Sequence, residues 1–266
     1  MSNLGRNLFM ALVVIFLAAP LVVVAGVSVN AERQLLFPPK GFSLAWYAEL
    51  FSQADWLNAL SNSLIIATLS ALLAVSIAFP LAYFLWRYSV GYARVLYVLG
   101  VAPFMMPPVI TALGFLIFWV SVGLYGHMIA TVISHAIFFV TLPLVTITLG
   151  LAAIDRQILE AAATIGADDR TLFRTIILPL VRPYLISGYA FAFVLSLNEY
   201  IVAYMVAGFT VETLPIKIFN SLRYGYTPVM AVVAVMFVVV AILVFGLIAR
   251  FGDLPKLLGA WERKET

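Results

Sequence analysis

Glu199, in the run Leu195-Ser196-Leu197-Asn198-Glu199-Tyr200, is the acidic residue that falls deep inside an apolar stretch long enough to cross a bilayer. A carboxylate at mid-bilayer costs roughly 3 kcal/mol on insertion scales, so a partner, a water-filled cavity or a proton must offset it. Two roles stay open. The acid can make a structural hydrogen bond that fixes a helix bend, helped by Asn198, or it can line a path and attract a cation. No basic residue falls at the centre of a neighbouring apolar stretch, and Lys217 and Arg223 lie beyond its end. Tyr200 and Tyr204 would share its face. His127 and His135 stand eight residues apart, which is about 12 Å along a helix and too far to share one metal ion. They are expected to pack or to sit at an interface. No Ser/His/Asp group converges in the sequence, which disfavours a membrane-embedded enzyme. Nor does any G-x-x-x-x-G-K-[ST] run occur, so the chain lacks a phosphate-cradling loop for ATP.

The elements that must hold these residues are apolar. Of 266 residues, 64% are hydrophobic and 10% charged, with mean hydropathy +1.10. A soluble domain carries about 25% charged residues. There is no cysteine, which excludes disulfides, thiolate chemistry and cysteine-ligated zinc. Six stretches reach the roughly 20 apolar residues that a membrane helix needs: Leu8–Val29, Ala59–Leu85, Val95–Val120, His127–Leu151, Tyr184–Val206 and Val229–Ile248. The first is too long for a signal-peptide core and is followed by no small-x-small cleavage site, so it is expected to remain as a helix. No loop between the spans is long enough for a second core. The expectation is an all-α, six-helix polytopic membrane protein in which residues 1–266 form a single domain.

An even number of spans puts both termini on one side. Arg6, Arg87, Arg94, Arg156, Arg170, Arg174, Arg182, Arg250, Lys256, Arg263 and Lys264 fall on that side. The other side holds Arg33, Lys40, Lys217 and Arg223, so the 15 basic residues divide eleven to four. By the positive-inside rule both termini are expected in the cytoplasm. Pro20, Pro80, Pro103, Pro107, Pro108 and Pro143 lie inside spans. The adjacent Pro107-Pro108 should break or sharply bend the third, because each proline removes a backbone donor. The halves are not inverted copies of each other, and Glu199 is the sole candidate ion ligand, so a secondary transporter working alone is disfavoured.

The longest polar interruption between two spans is EAAATIGADDRTLFRTIILPLVRP, residues 160–183. Ile158–Ile165 reads as a short Ala-rich helix ended by Gly166. Asp168 or Asp169 then caps a second helix carrying Leu172, Phe173, Ile176 and Ile177, and Pro179 and Pro183 turn the chain back to the membrane. On periodicity alone this is an amphipathic helix-turn-helix at the membrane surface. The pattern Glu160-Ala161-Ala162, Gly166, Ile176-x-Leu178-Pro179 resembles the cytoplasmic EAA loop of the permease subunits of ATP-driven (ABC-type) importers. The likeness extends to Ala163 and Ala167. Phe37-Pro38-Pro39-Lys40-Gly41-Phe42-Ser43-Leu44 with Trp46-Tyr47, and Asn58-x-x-x-Asn62-Ser63-Leu64, resemble the spermidine/putrescine-type branch, which also includes permeases for opines and aminoethylphosphonate.

The resemblance implies a type I ABC importer permease fold, with the loop about 152–183 coupling to a separate ATPase through Glu160, Ala161, Ala162, Gly166, Ala167, Leu172 and Phe173. It implies a path for a small amine, such as a polyamine, past Asn198, Glu199, Tyr200 and Tyr204. It also implies partners: a second, homologous permease, a homodimeric cytoplasmic ATPase and a periplasmic substrate-binding protein at the bacterial inner membrane. This chain would hold no cofactor, ATP and magnesium being bound by the ATPase. No nucleic acid is expected.

Overall fold

The computed structural model describes residues 3–88, 91–225 and 227–251, and its elements are all helical apart from one isolated β-bridge between Asn30 and Phe42. In chain order the helices are α1 (Asn3–Ser28), α2 (Ala45–Ser52), α3 (Ala54–Tyr88), α4 (Gly91–Met105), α5 (Pro108–Ser121), α6 (Met128–Phe139), α7 (Thr141–Ala152), α8 (Arg156–Thr164) and α9 (Asp169–Leu172). A π-helical turn, Phe173–Ile177, leads into α10 (Leu178–Asn198), followed by α11 (Ile201–Ala207), α12 (Leu214–Tyr224) and α13 (Val229–Phe251). Among the described residues, four helical stretches are long and apolar enough to cross a bilayer: Leu4–Ser28, Ala54–Tyr88, Asp169–Asn198 and Val229–Arg250. The count rises to six if the bent pairs α4–α5 and α6–α7 each form one span. Lys256, Arg263 and Lys264 of the charge argument lie outside the described residues.

The bends have local causes. Met106 and Pro107 separate α4 from α5, which turn by 111°. Pro107 has no N–H to continue α4, and Pro108 at the start of α5 needs none. The Pro107-Pro108 expectation is met. The fourth span is bent too, by 42° at Val140; Pro143 stands in the first turn of α7, where an unpaired N–H is normal.

Two expectations about the fifth span are corrected. Pro179 and Pro183 do not turn the chain back, because one helical stretch runs from Asp169 to Asn198 through both. A π-turn stands just before Pro179, with Leu178 N–H bonded to Phe173 O, one residue further than in an α-helix. At the other end, the stretch read as Tyr184–Val206 is cut. α10 stops at Asn198, and Glu199 is extended backbone (φ −77°, ψ 130°) before α11 begins.

α3 is the central post. Ala67, Ala71, Ala74, Ala78 and Ala82 fall on one face of it and are buried, so α7 and α10 approach its backbone closely, as small residues permit between membrane helices. On α10, a Cβ added to Gly188 would lie 2.6 Å from Pro143 Cα, so only glycine allows this crossing with α7. α1, by contrast, packs chiefly on α13, and its apolar side chains are exposed along most of its length. Such a face suits lipid.

Candidate functional site

Glu199 sits in the break between α10 and α11, and its carboxylate has three partners. Oε1 accepts from the Val202 N–H (2.9 Å), Oε2 accepts from the Ala203 N–H (3.0 Å), and His135 Nε2 stands 3.2 Å from Oε2. The two backbone bonds answer a general need. The first N–H groups of any helix have no partner within it, and at α11 the side chain just before the helix supplies two. The Glu199 side chain is 8% exposed, so its hydrogen-bond partners come mainly from the protein.

This corrects two readings. Glu199 is not without a nitrogen partner at membrane depth. His135, from α6, is 1% exposed and faces it, although Nε2 is off the line of a well-directed hydrogen bond. A serine, a histidine and an acid do converge as well. Ser196 Oγ lies 2.8 Å from His135 Nδ1 and 3.0 Å from Ser70 Oγ of α3. Sequence reasoning could not find this cluster, because Ser70, His135 and Ser196 come from three different helices. The grouping has the composition of a hydrolytic triad without its setting. Ser196 and Ser70 are buried in a packed core, with both hydroxyls engaged by each other. A nucleophile needs an open side from which a substrate can approach.

His127 does not share a helix face with His135. It precedes α6 in extended backbone, is exposed, and its Nδ1 lies 3.3 Å from Tyr125 O. The described residues hold no group of three or more metal-ligating side chains.

The break presents a set of more open residues. Asn198 is exposed and its Nδ2 donates back to Val194 O at 2.8 Å. The Tyr200 and Tyr204 rings stack 5.4 Å apart, Tyr200 meets Phe219 of α12 at 4.7 Å, and Tyr204 meets Phe209 at 5.8 Å. Phe209 and Phe219 are exposed. The result is a row of aromatic faces beside the buried carboxylate.

The second cluster is the 155–173 segment. Asp155 caps α8 by accepting from the Gln157 N–H, and Asp168 caps α9 by accepting from the Thr171 N–H. Between them Gly166 adopts φ +91°, a left-handed conformation that costs a side-chain-bearing residue about 1–2 kcal/mol. No residue of α8 is fully buried; Glu160, Ala161 and Gly166 are exposed, and Ala162 and Ala167 half-buried. Leu172 and Phe173 behave differently. Leu172 is buried, and Phe173 packs edge-on against Tyr83 (5.3 Å) and against Phe79 (6.0 Å) of α3. They fasten the segment to α3, as does Arg87 Nη2 to Asp169 Oδ1 at 2.8 Å. Between α8 and the end of α3 lies a cavity of about 260 Å³ lined by Trp86, Arg87, Arg156, Leu159 and Glu160.

Residues 74–253 match the family described as "Binding-protein-dependent transport system inner membrane component". The spermidine/putrescine transport system permease protein PotC of Haemophilus influenzae is 32% identical over 239 residues, covering 89% of this chain and 92% of that protein. The putrescine transport system permease protein PotI of Escherichia coli is 33% identical over 224 residues, covering 80% and 78%. Among solved structures, a bacterial ABC transporter involved in the import of the acidic polysaccharide alginate has a chain that superposes with TM-score 0.70 at 16% identity, over 94% of this chain and 95% of that one.

Proposed function

Because this chain belongs to the binding-protein-dependent transport system inner membrane components, the multi-pass permease subunits of bacterial ABC importers, we propose that its cargo is a small amine of the polyamine type. Catalysis of ATP hydrolysis belongs to a partner ATPase, and a binding protein delivers the solute. The observation that carries the amine reading is 32–33% identity, over most of the chain, to permeases named for spermidine and putrescine. The aromatic row supports it, since a cation over an aromatic face gains about 0.5–2 kcal/mol. Asn198, Tyr200 and Tyr204 are the path-facing residues in this reading. Glu199 stands behind them as the acid that holds the break, the structural role of the two left open by the sequence.

The remaining parts of the assembly follow the same reading. A second, homologous permease completes the pore, and the ATPase is a homodimer. The whole chain acts as one transmembrane domain, with both termini and the 152–183 segment in the cytoplasm. Glu160, Ala161, Ala162, Gly166 and Ala167 meet the ATPase, while Leu172 and Phe173 carry its movement into α3. ATP-driven closure of the ATPase can shift the pore between inward and outward states only through contacts that differ between them, and the exposed α8 surface is suited to make such contacts.

The test is uptake by the importer reassembled in proteoliposomes with its ATPase, companion permease and binding protein. ATP-dependent accumulation of radiolabelled putrescine or spermidine is expected. Binding of neither amine by the delivering protein, with transport of another solute, would refute the cargo.

A further inference from the structure

Ser196 and Glu199 flank the break, one at the end of α10 and one just beyond it, and a single imidazole from the facing helix α6 touches both. Glu199 spends its other contacts on the first N–H groups of α11. We propose that His135 is a positioning residue of the transport path: it clasps the break between α10 and α11, and so sets the angle at which Asn198, Tyr200 and Tyr204 face the path. The proposal rests on the path-facing reading of those residues.

The chemistry needs no charge on the imidazole. A nitrogen lone pair and a carboxylate lone pair cannot face each other at 3.2 Å without a proton between them. The neutral tautomer with Nε2–H toward Glu199 satisfies this, and Nδ1 then accepts from the Ser196 hydroxyl. Ser70 anchors that hydroxyl to α3. The clasp therefore joins α3, α6 and both sides of the break. Without His135, Glu199, 8% exposed in the intact chain, would keep only its two backbone donors, and an under-paired buried acid favours rearrangement of the chain around it.

The contrast that tests this is His135→Gln against His135→Leu. A glutamine can donate its amide N–H to Glu199 and accept from Ser196, whereas leucine fills comparable space and does neither. The chain's lack of cysteine allows a reporter, Asn198→Cys, labelled from outside by a membrane-impermeant maleimide in the assembled importer with and without vanadate-trapped nucleotide. Uptake of putrescine is measured separately in chains without the reporter. His135→Leu is expected to abolish the nucleotide-dependent change in labelling and to lower maximal uptake about tenfold or more with KM nearly unchanged. His135→Gln is expected to restore both to within about threefold. Wild-type labelling and uptake in His135→Leu would overturn the proposal. So would a fall in KM for the amine, which would mean that His135 had been masking a path-lining Glu199. Loss of gating in an assembled His135→Gln importer would overturn it too. If His135→Leu fails to assemble with the ATPase, His135→Asn, whose shorter amide can reach Ser196 but not Glu199, takes its place with the same expected losses, and wild-type labelling and uptake in it would overturn the proposal. A wrong cargo would show differently: the unmodified chain would fail to take up putrescine while its labelling still responded to nucleotide.

Discussion

At Gly166 a single backbone angle decides the shape of the 155–173 segment. With φ +91° and open space where a Cβ would stand, the cost of any other residue is conformational rather than steric. A branched residue such as valine is therefore expected to displace α8 relative to α9 without disturbing the core. Glu160 is exposed at the rim of the cavity beside Arg87 and Arg156, and lysine there would place a third cation beside two. Gly166→Val and Glu160→Lys are each expected to lower ATP-dependent uptake by at least about tenfold, with the permease still inserted at normal levels. Uptake assays with quantitative membrane blots check this. Unaltered transport in both variants would mean that α8 does not carry the coupling.

At the scale of elements, the breaks matter more than the spans. The Pro107-Pro108 break was legible because proline states its own effect. The break at Glu199 was not, since no proline or glycine marks it. What ends α10 is a carboxylate that takes up the N–H groups of α11 and a histidine 64 positions earlier in the chain, and neither contact leaves a periodic trace. Residues 158–172 read more easily, as the Asp168 cap and a left-handed glycine are local devices; the Asp155 cap, which starts α8 at Arg156, was not read. The inward orientation of Leu172 and Phe173 required knowing that α3 ends beside them. The α9 cap makes its own prediction. The bond from Thr171 holds the Asp168 carboxyl below its ordinary range. A depressed folded pKa gives stabilisation that is complete above the unfolded value and lost as pH falls through the folded one. The cap is thus intact at neutral pH. Amide protection at Thr171, taken as exchange relative to the unstructured rate at the same pH and followed by mass spectrometry, should fall in Asp168→Ala at pH 7, stay near normal in Asp168→Asn, and reach the Ala level in the native chain only under strong acid.

For the whole molecule, the orientation in the membrane ties these parts together. The α8 segment can meet an ATPase only if it lies in the cytoplasm, and the Arg87–Asp169 pair then fixes the end of α3 on that side as well. A helix of 35 residues spans about 52 Å at 1.5 Å per residue, longer than a hydrocarbon core of about 30 Å, so α3 reaches both surfaces. Its first turns meet α2 and α12, where Asn62 Nδ2 donates to Glu212 O at 2.9 Å and Ser63 Oγ accepts from the Leu214 N–H at 2.8 Å. Glu49 and Glu212 must accordingly share the face opposite Arg87 and Arg170. From the eleven-to-four division of basic residues, the Arg87 and Arg170 face is expected in the cytoplasm. Reporter fusions placed after Arg87 and Arg170 are expected to be active only as cytoplasmic reporters, and fusions near Glu49 and Glu212 only as external ones. An external signal after Arg170 would invert the molecule and remove the ATPase contact. A mixed result at Glu49 and Glu212 would put on opposite sides two helices, α2 and α12, that both pack on the first turns of α3.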